Sequence, residues 1–250
     1  MAEAPSILAI EAACLSAWPA IGVVHDGAWL WRYAQGYTKR ANSIQCLDPA
    51  DEDDAEARIL RLAALSVRHG IAPVFRVTPL AGNRVVATLD RLGWRSFEES
   101  RVLTLDLGDA AFERRADIRP FPPGDPRWYR VQSSLAGYAP AGVETLKILL
   151  GLIAPEAKGF VAYGRDGTPA AAALAVVSGG IGVYLNVVTD RARRRQGHGE
   201  AVMQAALAWT RENGARHAAL QVVADNDAAG ALYAKLGFAE RYRYHYRRPA

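Results

Sequence analysis

The stretch that most limits how this chain can fold runs from Ile181 to Trp209. An apolar segment, Ile181 to Val188, leads into Thr189-Asp190-Arg191-Ala192-Arg193-Arg194-Arg195-Gln196-Gly197-His198-Gly199. Behind it Val202, Ala205, Ala206 and Trp209 recur at helical spacing. A strand, a tight basic loop and an amphipathic helix in that order need a sheet for the strand and a layer against which the helix is buried. A helix N-terminus leaves about four N–H groups without intrahelical partners and carries roughly half a positive charge. Such a terminus takes a phosphate directly. Gly197 and Gly199 let backbone curl round an anion with no Cβ in the way, and the arginines add full charges suited to a pyrophosphate.

Short motifs of this kind also occur as plain solvated turns, so context decides. The flanking pattern predicts helices at 127–136 and 143–153, the second with Val143, Leu146, Leu149 and Leu150 on one face. Strands are expected at 158–163, 170–177 and 181–188, a helix from about 199 to 213, a strand at 218–224, a helix at 227–236 ending at Gly237, and a final strand. With a short strand near Ile118 the order is ββββαβαβ. The expected fold is therefore α/β (or α+β), a mixed sheet flanked by helices.

Asn226 through Phe238 reads NDAAGALYAKLGF, at a fixed distance after the basic loop. Arg194-x-x-Gly197-x-Gly199 and this second stretch together resemble the GNAT superfamily of N-acetyltransferases. The resemblance covers about residues 115–250. It implies a splayed sheet with acetyl-CoA in the gap between two diverging parallel strands, here 181–188 and 218–224. It further implies that the backbone of Val187, Val188 and Thr189 pairs with the pantetheine arm like an added strand. The donor contacts it implies are Val187, Val188, Thr189, Arg194, Arg195, Gln196, Gly197, His198, Gly199, Asn226 and Tyr233.

Acyl transfer from a thioester to an amine needs a neutral amine, a stabilised oxyanion and a proton for the departing thiolate. A strand N–H such as that of Val188 can serve the oxyanion. By resemblance Tyr233 is the general acid, although its spacing with Ala229 and Leu236 also suits simple packing. Many relatives carry a Glu on the strand before the phosphate loop. Here that strand reads Val183-Tyr184-Leu185-Asn186-Val187-Val188, with no carboxylate. Alternation places Tyr184, Asn186 and Val188 on one face. Asn186 can hold a water or the amine but cannot take a proton. The base is then water-relayed, supplied by Glu144 or Asp225, or unneeded for an amine of low pKa. The position of His198 suggests a helix cap rather than a base. Trp128, Tyr129 and Tyr138 are candidates for lining the acceptor site.

The first half is less regular. Strands are expected at 21–33, 41–47, 74–78 and 102–107. Helices are expected at 52–69, with Leu60, Ala63, Ala64 and Val67 as its stripe, and at 83–92. Leu92-Gly93-Trp94 echoes Leu236-Gly237-Phe238, and element order echoes too, so two similar halves are expected. At the place of the phosphate loop stands Asp48-Pro49-Ala50-Asp51-Glu52-Asp53-Asp54, which suits a helix N-terminus but repels phosphate. The division expected is 1–108 as a degenerate copy without a cofactor loop, 109–126 as a proline-rich linker, and 115–250 as the catalytic unit. The run Gly36 to Ser43 could shape a substrate cleft.

Composition narrows the partners. The net charge of +4 over 250 residues is concentrated in Arg191 to Arg195 and in Arg241 to Arg248, and a local knot needs only a local polyanion. The tail Tyr242-Arg243-Tyr244-His245-Tyr246-Arg247-Arg248 reads as an edge strand guarded by charge rather than a nucleic-acid surface. No apolar run is long enough to span a membrane, the N-terminus lacks a basic leader, and Cys14 and Cys46 lack metal-ligand spacing. One Cys14–Cys46 disulfide is the alternative to the two free buried thiols expected; no metal and a cytoplasmic location are expected too. The expected activity is acetyl transfer from acetyl-CoA to a primary amine of a small molecule. A protein N-terminus or lysine is the alternative acceptor, and a non-catalytic acyl-CoA sensor the alternative from another class. Oligomeric state is open.

Overall fold

The last strand of each half is paired inside the other half. The computed structural model describes residues 4–108, 110–113 and 115–250; Glu3 at the N-terminus and Asp109 and Arg114 of the expected linker lie outside them. The first half runs α1 (Ile7–Ala17), β1 (Gly22–Asp26), β2 (Trp29–Tyr33), β3 (Ile44–Cys46), α2 (Ala55–Arg68), β4 (Phe75–Val77), α3 (Asn83–Arg91) and β5 (Arg95–Asp106). The second runs β6 (Ile118–Phe121), α4 (Pro126–Ala136), α5 (Pro140–Gly151), β7 (Glu156–Tyr163), β8 (Pro169–Ser178), β9 (Ile181–Thr189), α6 (His198–Glu212), β10 (His217–Val223), α7 (Asp227–Lys235) and β11 (Ala239–Arg248). Among the described residues the strands form one mixed sheet in the order β1-β2-β3-β4-β11-β5-β10-β9-β8-β7-β6.

β5 lies antiparallel between β10 and β11, so Leu103 stands opposite Leu220 on one side and Glu240 on the other. β11 in turn pairs with β4 of the first half. This overturns the edge-strand expectation for the tail: β11 has a neighbour on each side, and Tyr242, Tyr244 and Tyr246 are buried. An alternating strand with one charged face looks the same in sequence whether or not its backbone is paired on both sides. β5 is also longer than the expected 102–107. Its polar start, Arg95 to Arg101, becomes strand because β11 offers it a ladder.

One face of the sheet is covered by α1, α4 and α5, whose Ile10, Trp128, Leu146 and Leu149 pack with Val183, Leu185 and Tyr244. The other face carries α6 and α7, whose Val202, Ala206 and Tyr233 pack with Tyr184, Leu220 and Val222. α2 and α3 cover the first-half strands, Ile59, Leu62, Val85 and Leu89 meeting Trp29, Trp31, Phe75 and Val77. The stripe expected on α2 is therefore wrong. Leu60 and Val67 are exposed, while Ile59, Leu62 and Ser66 face inward. The reason is a buried polar contact: the Trp31 indole N–H donates to the Ser66 hydroxyl at 2.8 Å. A hydroxyl that must face the core hides the stripe it belongs to.

α1 was not expected at all. Ser6 caps it, accepting from the Ala9 N–H at 3.1 Å. Its buried face carries Glu11 between Ile10 and Ala13, which breaks the apolar pattern. The echo between the halves is physical: Trp94 donates to the Leu89 carbonyl at 2.9 Å and Phe238 to the Tyr233 carbonyl at 3.0 Å, closing α3 and α7 in the same way. Cys14 and Cys46 are free and buried.

Candidate active site

The site begins where β9 loses its partner. β9 and β10 run parallel with His217 opposite Ile181 and continue to Leu220 opposite Tyr184, where the ladder ends. Leu185 to Thr189 and Gln221 to Val223 diverge beyond that point. On its other side β9 bulges: Ala172 pairs with Val188 but Leu174 with Leu185, so Asn186 and Val187 share one place opposite Ala173. Asn186 takes φ +52°, an uncommon value for a residue with a side chain. Its side-chain nitrogen is buried with no hydrogen-bond partner. The bulge overturns the expected alternation. Val187, not Val188, packs into the same cluster as Tyr184.

Past Thr189 the chain makes a short 3₁₀ turn, Arg191–Arg193, capped by the Asp190 carboxylate on the Ala192 N–H at 3.0 Å. α6 then opens at His198. Its N-cap is Gly197 at φ +83°, and no side chain caps the helix. His198 is thus the first helical residue and not the expected cap. The first intrahelical bond runs from Ala201 N–H to the Gly197 carbonyl at 2.9 Å, so the amides of His198, Gly199 and Glu200 precede the ladder. A Cβ on Gly199 would stand 2.9 Å from the Thr189 hydroxyl oxygen, so only glycine lets the first turn lie this close to the end of β9. Of the three consecutive arginines, Arg193 is spent on Asp166 at 2.5 Å, which holds that carboxyl well below its usual range. Arg194 and Arg195 stand in no ion pair among the described residues.

α7 packs beside α6, joined by Lys235 and Glu200 at 2.5 Å. The Asn226 side chain caps it, accepting from Ala229 N–H at 3.1 Å. Tyr233 is buried with its ring edge-on to Phe238 at 5.9 Å. Burial pushes its phenol up to about 12, and no described residue hydrogen-bonds its hydroxyl.

On the opposite face of the same gap lies a cleft of about 350 Å³. Gln221 and Val223 of β10, Ser100 of β5 and Tyr244 of β11 form its floor, and the loop from Gly36 to Arg40 forms a wall. The segment suspected of shaping a cleft does so. Tyr138 meets Tyr37 edge-on at 5.8 Å behind that wall. Trp128 and Tyr129 do not line the cleft; both are buried, and the Trp128 indole donates to the Ala173 carbonyl at 3.1 Å. The candidate bases are also elsewhere. Glu144 is exposed on the outer side of α5 and paired with Lys147, and Asp225 is exposed past β10. The carboxylate that lines the cleft is Glu98, the extra residue of a bulge in β5 at φ +45°, held by Lys39 at 2.9 Å. Gln221 escaped the sequence reading, though a lone amide in the apolar run Ala218 to Ala224 was a signal for it.

The matching place in the first half is filled by the protein's own groups. Asp51 accepts from Ala28 N–H at 2.7 Å and from Arg58, which lowers its carboxyl first of all through that guanidinium bond. Glu52 reaches the N-terminus of α3, accepting from Arg84 N–H at 2.7 Å. The described residues hold no cluster of three or more metal-ligating side chains and no helix long and apolar enough to cross a membrane.

Comparison with known proteins agrees with this geometry. Residues 4–247 match the family model described as probable histone acetyltransferase Rv0428c C-terminal. The chain is 27% identical over 246 residues to the uncharacterized N-acetyltransferase YobR of Bacillus subtilis, covering 95% of this chain and 96% of that protein. A GCN5-related N-acetyltransferase from Kribbella flavida superposes with a TM-score of 0.70 at 18% identity, over 99% of this chain and 97% of its own. A tandem GNAT protein from the clavulanic acid biosynthesis pathway superposes with a TM-score of 0.66 at 14% identity, over 99% and 88%. The chain belongs to the acetyltransferase family of that model, and is an acyl-CoA-dependent GNAT N-acetyltransferase.

Proposed function

We propose that the donor is acetyl-CoA, bound once per chain, and that the acceptor is a primary amine of a small molecule. The observation that carries this reading is the gap past Tyr184 and Leu220, with an anion-binding helix terminus on one face and a cleft on the other. The pyrophosphate rests on the amides of His198 and Gly199, with Arg194, Arg195 and Gln196 around it. The pantetheine arm follows Val187, Val188 and Thr189 between the diverging strands. Asn226 shapes the start of α7 beside it. Residues 115–250 carry this site, 109–126 connect, and 1–108 supply a wall of the acceptor cleft.

The reaction balances simply. An ammonium in the cleft loses one proton to solvent, and the amine nitrogen attacks the thioester carbon. The oxyanion is held by a β9 backbone N–H that faces the gap rather than β8, with Asn186 orienting the amine or a water. The C–S bond then breaks, Tyr233 protonates the thiolate, and the amide nitrogen sheds a second proton that restores the phenol. The products are the N-acetyl amine, free CoA and one proton.

Calorimetry on the full chain is expected to give one CoA site. Gly197→Asp puts a carboxylate where the phosphate rests; a Cβ there meets nothing within 4 Å, but φ +83° strains any L side chain, so the variant's thermal melting is measured beside its affinity. The affinity for acetyl-CoA should fall at least about tenfold, ~1.4 kcal/mol. Two sites in the wild type, or an unchanged affinity in the variant, would remove the phosphate loop from the mechanism.

The name of the matched family carries a histone acceptor, which favours a protein amine as the second reading. A cleft of about 350 Å³, walled by both halves, suits a small ligand better. Thiol release with a panel of small amines and of lysine-bearing histone-tail peptides separates the two. Turnover of a small amine with kcat/KM at least about tenfold above any peptide is expected. The reverse order would assign a protein acceptor.

A further inference from the structure

We infer that the acceptor carries a carboxylate as well as its amine, and that Arg40 receives that carboxylate. The inference rests on the acetyl-transfer reading of the cleft and names the class of amine that enters it.

Arg40 sits in the short 3₁₀ turn Lys39–Ala41 that walls the cleft. That turn is held firmly. The Asn42 side chain accepts from Ala34 N–H at 2.7 Å and Gly36 N–H at 2.9 Å, and donates to the Thr38 carbonyl at 2.7 Å. The Trp18 indole donates to the Thr38 hydroxyl at 2.9 Å, and the Arg40 carbonyl itself accepts from the Arg32 guanidinium at 2.7 Å. A pinned backbone presents the Arg40 side chain from a fixed point, which a specificity residue needs.

The two neighbouring cations in the turn differ in what they hold. Lys39 is committed to Glu98 at 2.9 Å. Among the described residues Arg40 stands in no ion pair and its guanidinium donates to none; it lies 5.8 Å over the Trp18 ring. Guanidinium stays charged at any working pH and offers a planar fork that matches a carboxylate. A small void lies under the cleft floor, bordered by Glu11, Arg32, Arg40, Arg76 and Gln221. Together the cleft and the void are lined by four cationic side chains, Arg32, Lys39, Arg40 and Arg76, against two carboxylates, Glu11 and Glu98. Glu11 is taken by Arg76 and Glu98 by Lys39. Arg32, whose guanidinium burial first and then the charge of Arg76 lower to about 10, and Arg40 stand in no ion pair among the described residues, so positive charge is in excess here. A ligand with one negative charge relieves that excess. A carboxylate fits one free fork, whereas this wall offers no helix N-terminus or glycine-rich backbone to cradle a phosphate.

The test compares free amino acids with their carboxamides as acceptors. The carboxamide lacks the charge and has the more acidic ammonium, so by intrinsic reactivity alone it should win. The wild type is expected to prefer the carboxylates by about tenfold or more in kcat/KM. Arg40→Gln should bring the ratio to within about twofold through KM, with acetyl-CoA affinity unchanged, and Arg40→Lys should restore part of it. Carboxamides turned over as well as the acids, aminophosphonates preferred to both, a ratio untouched by Arg40→Gln, or no amino acid acetylated while neutral amines are, would each overturn the inference. Failure of the wild type to bind acetyl-CoA would instead overturn the reading on which it rests.

Discussion

Glu11→Ala should cost about 3–5 kcal/mol of folding stability, the scale for leaving one member of a buried ion pair alone. Glu11 is fully buried on α1 and takes both terminal nitrogens of Arg76, one of them at 3.0 Å. It also accepts from the Tyr242 hydroxyl at 2.5 Å. Arg76 is buried on β4, its guanidinium 3.9 Å over the Tyr244 ring and its Nε already without a partner. Removing the carboxylate leaves a full charge with only a long bond to the Gln45 side-chain oxygen at 3.4 Å and a ring face. For a chain of this length the loss corresponds to roughly 10 °C in Tm. The expected size separates a buried pair from a surface one, whose loss costs ~1 kcal/mol or less. Glu11→Ala combined with Arg76→Met should recover most of the stability, because replacing both charges by apolar groups is often neutral. Chemical denaturation of the wild type, the single variant and the double variant checks both statements. A single variant losing under about 1 kcal/mol, or a double variant worse than the single, would show that the pair does not hold α1 to β4 and β11.

That network also explains what was readable and what was not. The basic loop, α6, β10 and α7 follow one another in sequence, and their signals are local: Gly197 and Gly199 at the loop, Val202 and Ala206 on the buried stripe, Gly237 at the stop. Nothing local in Arg95 to Asp106 says that it will lie between β10 and β11, since Leu103 meets Leu220 and Glu240 from more than a hundred residues away. α1 was missed because Glu11 occupies its buried face, and that carboxylate makes sense only once Arg76 and Tyr242 are beside it. The α2 stripe was misplaced because Ser66 faces inward to Trp31. The bulge at Asn186 obeys the pairing of β8, not a pattern in β9. The acceptor cleft is the extreme case. Its wall comes from Gly36 to Arg40 and its floor from Ser100, Gln221 and Tyr244, which share no segment. In α1 and α2 the polar residue that looked wrong for its element, Glu11 and Ser66, is the one making a long-range contact.

Tyr233→Phe should lower kcat about 10²-fold or more while KM for acetyl-CoA changes little. The substitution keeps the ring, and with it the edge contact to Phe238 at 5.9 Å. It removes a hydroxyl that no described residue hydrogen-bonds, so folding stability should stay within about 0.5 kcal/mol. Any large loss of rate is then chemical. Burial raises the phenol to about 12, so the proton is fully present at neutral pH and is lost only as pH approaches that value. The alkaline side of the wild-type kcat profile should therefore stay flat through pH ~10 as far as this group is concerned. Against a reference thiol near ~8.5, donation from such a phenol is uphill by about 3.5 units, roughly 5 kcal/mol. The same burial that disfavours phenolate also disfavours a thiolate set beside it, which raises the thiol and narrows the gap. An acid of this kind holds its proton until the thiolate forms and gives it up only there. Single-turnover and steady-state rates on the variant separate this role from packing. A variant within about twofold of wild type in kcat would mean that the buried ring serves α7 alone and that the thiolate takes its proton from water.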